Sequence, residues 1–185
     1  MAMLLRVLSP VVSRRVPRRN PRKRAVLGLA VLLAAGCGGG STAPQEQIVR
    51  GTGYHFAAPA DWKVVRSGRE IRVSDGIPLV SVARYDLLRA FRSPLWDHVV
   101  PELDRAAKGL AEQQDGSVVE SATATIAGGK ARTYDIAYER EGKALVERIG
   151  FVLRGKSEYL LLCRYERGGD TDACDRLDAT FMLAG

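Results

Sequence analysis

The sequence predicts an α+β domain in which an antiparallel sheet is flanked by helices. Two observations lead to this fold class. Short segments that alternate apolar and polar residues are separated by glycine-containing turns, as in antiparallel hairpins. One long segment after Ser93 and Pro94 instead repeats its apolar residues at helical spacing. Strands that precede and follow a single long helix are typical of α+β folds.

The first half of the sheet is predicted from four short segments. Residues 54–59 and 63–65 lie on either side of a turn at Asp61 and Trp62, which indicates a hairpin. Residues 70–74 alternate polar and apolar side chains, and a turn at Asp75 and Gly76 leads to the next strand at 79–85.

Ser93 and Pro94 predict the start of the long helix. Serine is a preferred N-cap, and proline at the first helical position loses no hydrogen bond. The apolar residues that follow form one stripe, which we expect to pack on the sheet: Leu95, Val99, Leu103, Ala107 and Leu110. Asp115 and Gly116 end the helix.

Further strands are predicted at 117–126, 130–139, 144–153 and 157–165, with glycine turns after the first two. In the second of them, Tyr134, Ile136 and Tyr138 alternate with polar residues, so one face is covered and the other is partly wet. The evenly apolar strand 157–165 is expected to be central. A short helix at about 170–179 follows, and Phe181 folds back on the sheet.

The first 36 residues have the organisation of an export signal. A basic segment from Arg14 to Arg24 precedes the apolar run from Ala25 to Ala35, which is too short for a stable membrane span. Leu33-Ala34-Ala35-Gly36-Cys37 resembles the bacterial lipobox, although Ala34 stands where that motif prefers leucine. The resemblance implies cleavage before Cys37 and attachment of lipid to its sulfur. The alternative is an ordinary secretory signal followed by an incidental cysteine.

The chain therefore divides into a lipoprotein signal peptide at 1–36, a tether at 37–50 and a globular domain at 51–185. The tether is glycine-rich and polar after Cys37, so we expect it to be flexible. Eight of the 28 basic side chains lie before Cys37, where there is no acidic residue. The remaining 20 basic and 21 acidic side chains leave the mature protein without the basic excess that nucleic-acid binding requires.

Cys163 and Cys174 are the cysteines that remain after lipidation. They lie in the last predicted strand and the last predicted helix of a chain that is expected to leave the cytoplasm, so a disulfide is favoured. Two buried free thiols are the first alternative. Redox or metal chemistry is the second, and neither a CxxC motif nor a neighbouring histidine supports it.

No set of residues in the sequence has the pattern of a catalytic or metal site. His55 and His98 are the two histidines, and each fits a solvated or core-edge position. Ser93, Asp97 and His98 contain the residue types of a catalytic triad, but adjacent helical positions point in different directions. Asp170, Asp172 and Asp175 lack the glycine and glutamate of an EF-hand and are expected to complement a helix N-terminus.

The order of these elements resembles the PsbP-like fold. The motifs that carry the resemblance are the Pro59-Ala60-Asp61-Trp62 turn, the segment Ala131-Arg132-Thr133-Tyr134-Asp135-Ile136, and Phe181 after a helix. The resemblance covers roughly residue 53 to the end and implies an α/β/α sandwich on an antiparallel sheet. It implies no catalytic residues, because proteins of one fold can bind quite different partners.

These observations together predict a non-enzymatic lipoprotein on the extracytoplasmic side of a membrane. Its domain is expected to be a monomer that binds a protein or a cell-envelope component and carries no cofactor or metal. A carrier of lipid or another small apolar ligand is the first alternative and requires a cavity between sheet and helix. A hydrolase is the second and requires titratable groups gathered in one cleft.

Overall fold

The computed structural model describes residues 45–184. The predicted signal peptide, Cys37 and the first part of the predicted tether lie outside the described residues. The elements are β1 (Glu46–Gly51), β2 (Tyr54–Pro59), β3 (Lys63–Ser67), β4 (Glu70–Ser74), β5 (Leu79–Phe91), α1 (Trp96–Glu112), β6 (Ser117–Ile126), β7 (Gly129–Arg140), β8 (Lys143–Glu166), α2 (Asp172–Thr180) and β9 (Met182–Leu183). Between residues 45 and 184, no helix has the length and hydropathy of a membrane span.

The main sheet is antiparallel and has the strand order β3-β4-β5-β8-β7-β6. β8 occupies two adjacent places in it, because the segment reverses at Gly155, whose positive φ of 54° suits a tight turn. The reversal brings the Arg167 amide to the Ala144 carbonyl at 2.9 Å. The first arm, 143–153, pairs with β7, and the second arm, 157–166, pairs with β5. The prediction of two strands here, with the second in the centre of the sheet, is confirmed.

The two faces of this sheet are covered by different elements. On one face α1 packs against β6 and β7. On the other face α2 packs together with a second, three-stranded sheet of order β1-β2-β9. The predicted α+β class and its sandwich of helices about an antiparallel sheet are confirmed, and the small sheet is an additional feature of the α2 side.

Each face has its own apolar cluster. On the α2 face, Tyr54, Phe56, Leu161, Leu177 and Phe181 are among the buried residues. On the α1 face, buried Leu103, Ala107 and Ala111 of α1 contact a cluster from β7 and β8 that includes the predicted inward residues Tyr134, Ile136 and Tyr138. The space between helix and sheet is thus filled by side chains.

Three predictions about element boundaries are wrong. The predicted tether at 37–50 is too long, because strand β1 begins at Glu46 and pairs with β2 through its whole length. The hairpin predicted between 54–59 and 63–65 does not form, since β2 pairs with β1 and β9 while β3 pairs with β4. Ser93 does not cap α1: it starts a 3-10 turn, and no side chain caps the α-helix that follows.

The described residues, 45–184, lie within one compact unit. Both apolar clusters and the elements that enclose them lie within this unit. The interactions that drive folding are therefore contained in it, and we expect it to fold without the preceding residues.

Candidate functional site

Cys163 and Cys174 form a disulfide, as predicted. Cys163 lies in the second arm of β8 and Cys174 in α2, and their Cα atoms are 5.3 Å apart, within the usual range for a disulfide. Both residues are buried. The bond therefore fixes α2 to the centre of the main sheet, and its role is structural.

The residues considered for a catalytic triad are not assembled. Ser93, Asp97 and His98 are all exposed at the start of the long helix. Within residues 45–184, no side-chain hydrogen bond joins any two of them. His55 lies in β2 on the other face of the sheet, where it pairs with Arg50 and Met182. The two histidines therefore do not share a site.

The aspartates near the last helix contact protein groups. Asp172 and Asp175 lie in the first turn of α2, as predicted, and the Asp172 amide donates to the Asp170 carboxylate at 2.7 Å. Asp175 accepts a hydrogen bond from Thr171 and one from Arg148 at 3.0 Å. Among the residues that the structure describes, no three metal-ligating side chains are grouped so as to hold an ion.

A groove of about 440 Å³ runs between α1 and the edge strand β6. We call it the α1–β6 groove; its walls are Asp104, Lys108, Ala111, Glu112, Gly116, Ser117, Val118, Ser121, Arg132 and Tyr134. It is open to solvent along β6, which pairs with β7 on one side only. Val119, at the register shift of this strand, is 60% exposed. Apolar side chains therefore lie next to the free backbone N–H and C=O groups on the outer side of this edge strand.

Three side chains at the floor of the α1–β6 groove hold one another. The Tyr134 hydroxyl donates to Asp104 at 2.5 Å, and the Arg132 guanidinium donates to Asp104 at 3.1 Å and to Ser121 at 3.1 Å. Burial raises the pKa of Tyr134, and the hydrogen bond to the Asp104 carboxylate raises it further. The phenol therefore stays protonated at physiological pH. The guanidinium of Arg132, the carboxylate of Asp104 and the ring of Tyr134 are held in fixed positions by these hydrogen bonds.

A second carboxylate network lies deeper under the same helix. Glu147 is only 7% exposed and accepts hydrogen bonds from Tyr138 and Gln114, both at 2.9 Å. Arg164 stands 3.8 Å from it. Burial raises the pKa of Tyr138 to about 12, and the charge of Glu147 adds to the shift. Because the hydrogen-bonding groups of this network are mutually satisfied, it supports the sheet beneath α1 and is not open to a ligand.

A smaller depression of about 160 Å³ lies between β6, β7 and the C-terminal half of α2, where Asp178 lines it. Arg148, which lines it, pairs with Asp135 at 3.1 Å and with Asp175 at 3.0 Å. Burial raises the pKa of the neighbouring Asp178 to about 6; Arg148 opposes this shift, and repulsion from Asp175 and Asp135 adds to it. Arg148 is the one basic residue that lines this depression, and it is already paired with two carboxylates. The depression is therefore acidic and offers no free cation to bind an anion.

The sheet order, the two covering layers and the closing helix define a PsbP-like α/β/α domain. Neither a family model nor a curated protein matches the chain. Among solved structures, the solution structure of cyanobacterial PsbP (CyanoP) from Synechocystis sp. PCC 6803 has a TM-score of 0.54 at 14% identity and covers 80% of this chain and 98% of that one. The fold predicted from the sequence is thus confirmed, while so low an identity transfers no function.

Two further structures are similar. A crystal structure from Bacteroides thetaiotaomicron VPI-5482 has a TM-score of 0.56 at 12% identity; the match covers 76% of this chain but only 48% of the Bacteroides chain, so this protein spans about half of it. The crystal structure of LpqN, involved in cell envelope biogenesis of Mycobacterium tuberculosis, has a TM-score of 0.47 at 15% identity and covers 76% of this chain and 91% of LpqN.

Sequence reasoning did not identify the residues of the α1–β6 groove. Asp104 and Tyr134 are 30 positions apart, and Asp104 resembles any solvated residue on the polar side of a helix. The sequence of β7 contains one indication of this site. Arg132 is two residues from Tyr134 and four from Ile136, so its side chain lies on the same face of the strand, towards the helix. A cation on the covered face of a strand requires a partner, and Asp104 is that partner.

Proposed function

We propose that this protein is a non-enzymatic accessory lipoprotein, tethered through Cys37 on the extracytoplasmic side of a membrane, whose domain binds an extended segment of a cell-envelope protein in the α1–β6 groove. The observation that carries the proposal is that the groove runs along β6, an edge strand that pairs with β7 on one side only. An edge strand offers a row of free N–H and C=O groups, and a partner strand can pair with it.

The side chains around the groove favour a peptide over a small apolar ligand. Val118 lines the groove and the exposed Val119 follows it in the same edge strand, while Arg132 and Asp104 provide fixed charges at the floor. A carrier of lipid needs an enclosed apolar space, but Leu103, Ala107 and Ala111 fill the layer between helix and sheet. The separated histidines and the exposed Ser93 give little support to a hydrolase.

The anchor is tested with the full-length chain. Membranes should retain the wild-type protein, and Cys37→Ser should appear in the soluble fraction because its sulfur cannot accept the lipid. Mass spectrometry of the wild-type mature N-terminus should find lipidated Cys37. An unmodified mature protein that starts at another residue would refute the anchor while leaving the groove proposal open.

The groove is tested by placing a photo-crosslinking amino acid at Val119 of the anchored protein. Val65 is the matched control, because it is 45% exposed and lies in β3, the strand at the opposite edge of the same sheet. We expect a specific protein adduct from position 119, absent from position 65 and weakened by Arg132→Ala. Equal adducts from both edges would contradict the proposal, and a stoichiometric lipid without any protein adduct would favour the carrier.

A further inference from the structure

Cations gather at one end of the main sheet. We call this end the basic tip; it consists of Arg89, Arg92, Lys130, Arg154 and Lys156. Three segments converge there: the end of β5, the β6–β7 turn and the turn between the two arms of β8. Phe91 pairs with Gly155, Phe91 and Trp96 have ring centroids 6.4 Å apart, and Lys130 lies 5.9 Å above the Trp96 ring. The five cations therefore share one surface.

The positive charge of the basic tip is not neutralised locally. None of its five cations takes part in any of the ion pairs found within residues 45–184. Of the nearby carboxylates, Asp86 already pairs with Arg84, Glu158 is buried, and Asp97 alone lies exposed and unpaired at the start of α1. Because the mature chain as a whole has nearly equal numbers of acidic and basic side chains, this local excess is balanced by acidic residues elsewhere.

Two leucines project from the same surface. Leu88 is 73% exposed, and Leu95 is 44% exposed in the 3-10 turn before α1. Each is close in sequence to one of the arginines of the tip, Arg89 or Arg92. Exposed apolar side chains among cations have the chemistry of an interfacial membrane contact, in which leucines enter the headgroup region and cations bind phosphates.

We propose that the basic tip docks on the surface of a membrane that contains anionic phospholipids. Nucleic acid would also attract cations, but it has no apolar layer to receive Leu88 and Leu95, and the acidic remainder of the domain would repel its phosphates. The contact uses neither Cys37 nor the α1–β6 groove. It would fix the orientation of the domain at the membrane, which a lipid on a tether does not.

Vesicle co-sedimentation of residues 42–185, which lack Cys37, tests the proposal. We expect binding to vesicles of equal parts phosphatidylglycerol and phosphatidylcholine and much weaker binding to pure phosphatidylcholine, with the difference falling as salt is added. The double variant Arg154→Gln, Lys156→Gln should lower partitioning about 25-fold, since each cation near an anionic surface contributes about fivefold. Leu88→Ser should lower it roughly fivefold through the lost apolar contact.

The matched control is Arg140→Gln with Arg167→Gln, which removes from the opposite end of the sheet two exposed cations that form no ion pair with the described residues, and changes the net charge equally. Circular dichroism checks that all variants are folded. Equal losses from the two pairs, no preference for anionic vesicles, or tighter binding to duplex DNA at the same salt would each overturn the assignment. Because this domain lacks the anchor and the groove is unchanged, such a result would leave the proposed function intact.

Discussion

The two faces of the main sheet are closed by different physical means. On the α2 face, the rings of Tyr54, Tyr159 and Phe181 lie with centroids 5.6–5.8 Å apart, and the disulfide holds the helix to the sheet. On the α1 face lie the two most deeply buried carboxylates of the described chain, Glu147 at 7% and Glu158 at 6% exposure. The α2 face is held by apolar packing and a covalent bond, whereas the α1 face combines its apolar cluster with buried polar networks and has no covalent bond to the helix.

This difference suggests that the α2 face contributes mainly to stability, whereas the α1 face positions the groups that could bind a partner. Apolar burial and a disulfide contribute most to the free energy of unfolding, whereas buried charges cost desolvation and in return fix the positions of their partners. The α2 face should therefore tolerate little change. On the α1 face, the partly exposed positions along the α1–β6 groove should vary with smaller effects on folding.

The largest effect is expected from Phe181→Ala on the α2 face. Phe181 is almost fully buried between Tyr54 and Tyr159, so its loss should lower the free energy of unfolding by about 3–5 kcal/mol. Leu110→Ala in α1, at a half-buried position, should cost only about 1 kcal/mol. Urea unfolding measures both. Equal costs would mean that the two faces do not differ in the way described.

The disulfide should have the next largest effect. Replacing Cys163 and Cys174 together by alanine should lower the free energy of unfolding by about 3 kcal/mol, through the larger entropy of the unfolded chain. Wild-type protein should lose the same amount when dithiothreitol is added, and the variant should not respond to it. Thiol labelling of unreduced, unfolded protein from the envelope should find neither cysteine. If both cysteines are labelled, no disulfide links α2 to the sheet, and this difference between the two faces is refuted.

On the α1 face, Tyr138→Phe should cost about 1–2 kcal/mol, because buried Glu147 loses one of its hydrogen bonds. The matched change Tyr134→Phe should cost less, since the side chain of its partner Asp104 is 45% exposed and water can replace the phenol. Thermal unfolding at constant pH compares the two. A larger loss from Tyr134→Phe would place the main support of α1 at the groove floor.

The smallest effect is pH-dependent and concerns Asp178 at the edge of the α2 face. Burial raises the pKa of its carboxyl from 3.8 to about 6, so the neutral form favours folding and that contribution is lost as pH rises through about 6. Asp178→Asn should thus leave stability unchanged below pH 3.8 and increase it above pH 6, by on the order of 1 kcal/mol after allowance for partial exposure. A benefit that is equal at both pH values would contradict this ionisation.

Local patterns in the sequence were sufficient for most of the fold. The alternation of Tyr134, Ile136 and Tyr138 identified the covered side of β7, and the helical stripe identified α1. β1 was missed because only Val49 among its six residues is buried, so its pattern does not differ from that of a polar tether. The pairing of β2 was assigned to the wrong strand because sequence proximity favours β3, whereas β9 lies at the other end of the chain.

The candidate site was much less predictable than the fold. Cys163 and Cys174 could be paired from the expected redox compartment alone. The groove is formed by residues that come together only when α1 crosses β6 and β7, and no local spacing encodes that crossing. The convergence of Arg92, Lys130 and Arg154 likewise depends on which turns meet at one end of the sheet, which is a property of the topology.

β2 pairs with β9 and is hydrogen-bonded to the end of α2, and these contacts affect the order of folding. The Ala57 amide donates to the Thr180 hydroxyl across 123 positions of the chain, so β2 is synthesised long before the helix that covers it. Closing such long loops slows folding, and until it is complete Phe56 remains open to proteases and to other unfolded chains. Because Cys174 lies in the helix that completes this closure, oxidation and burial of β2 should occur in the same late step.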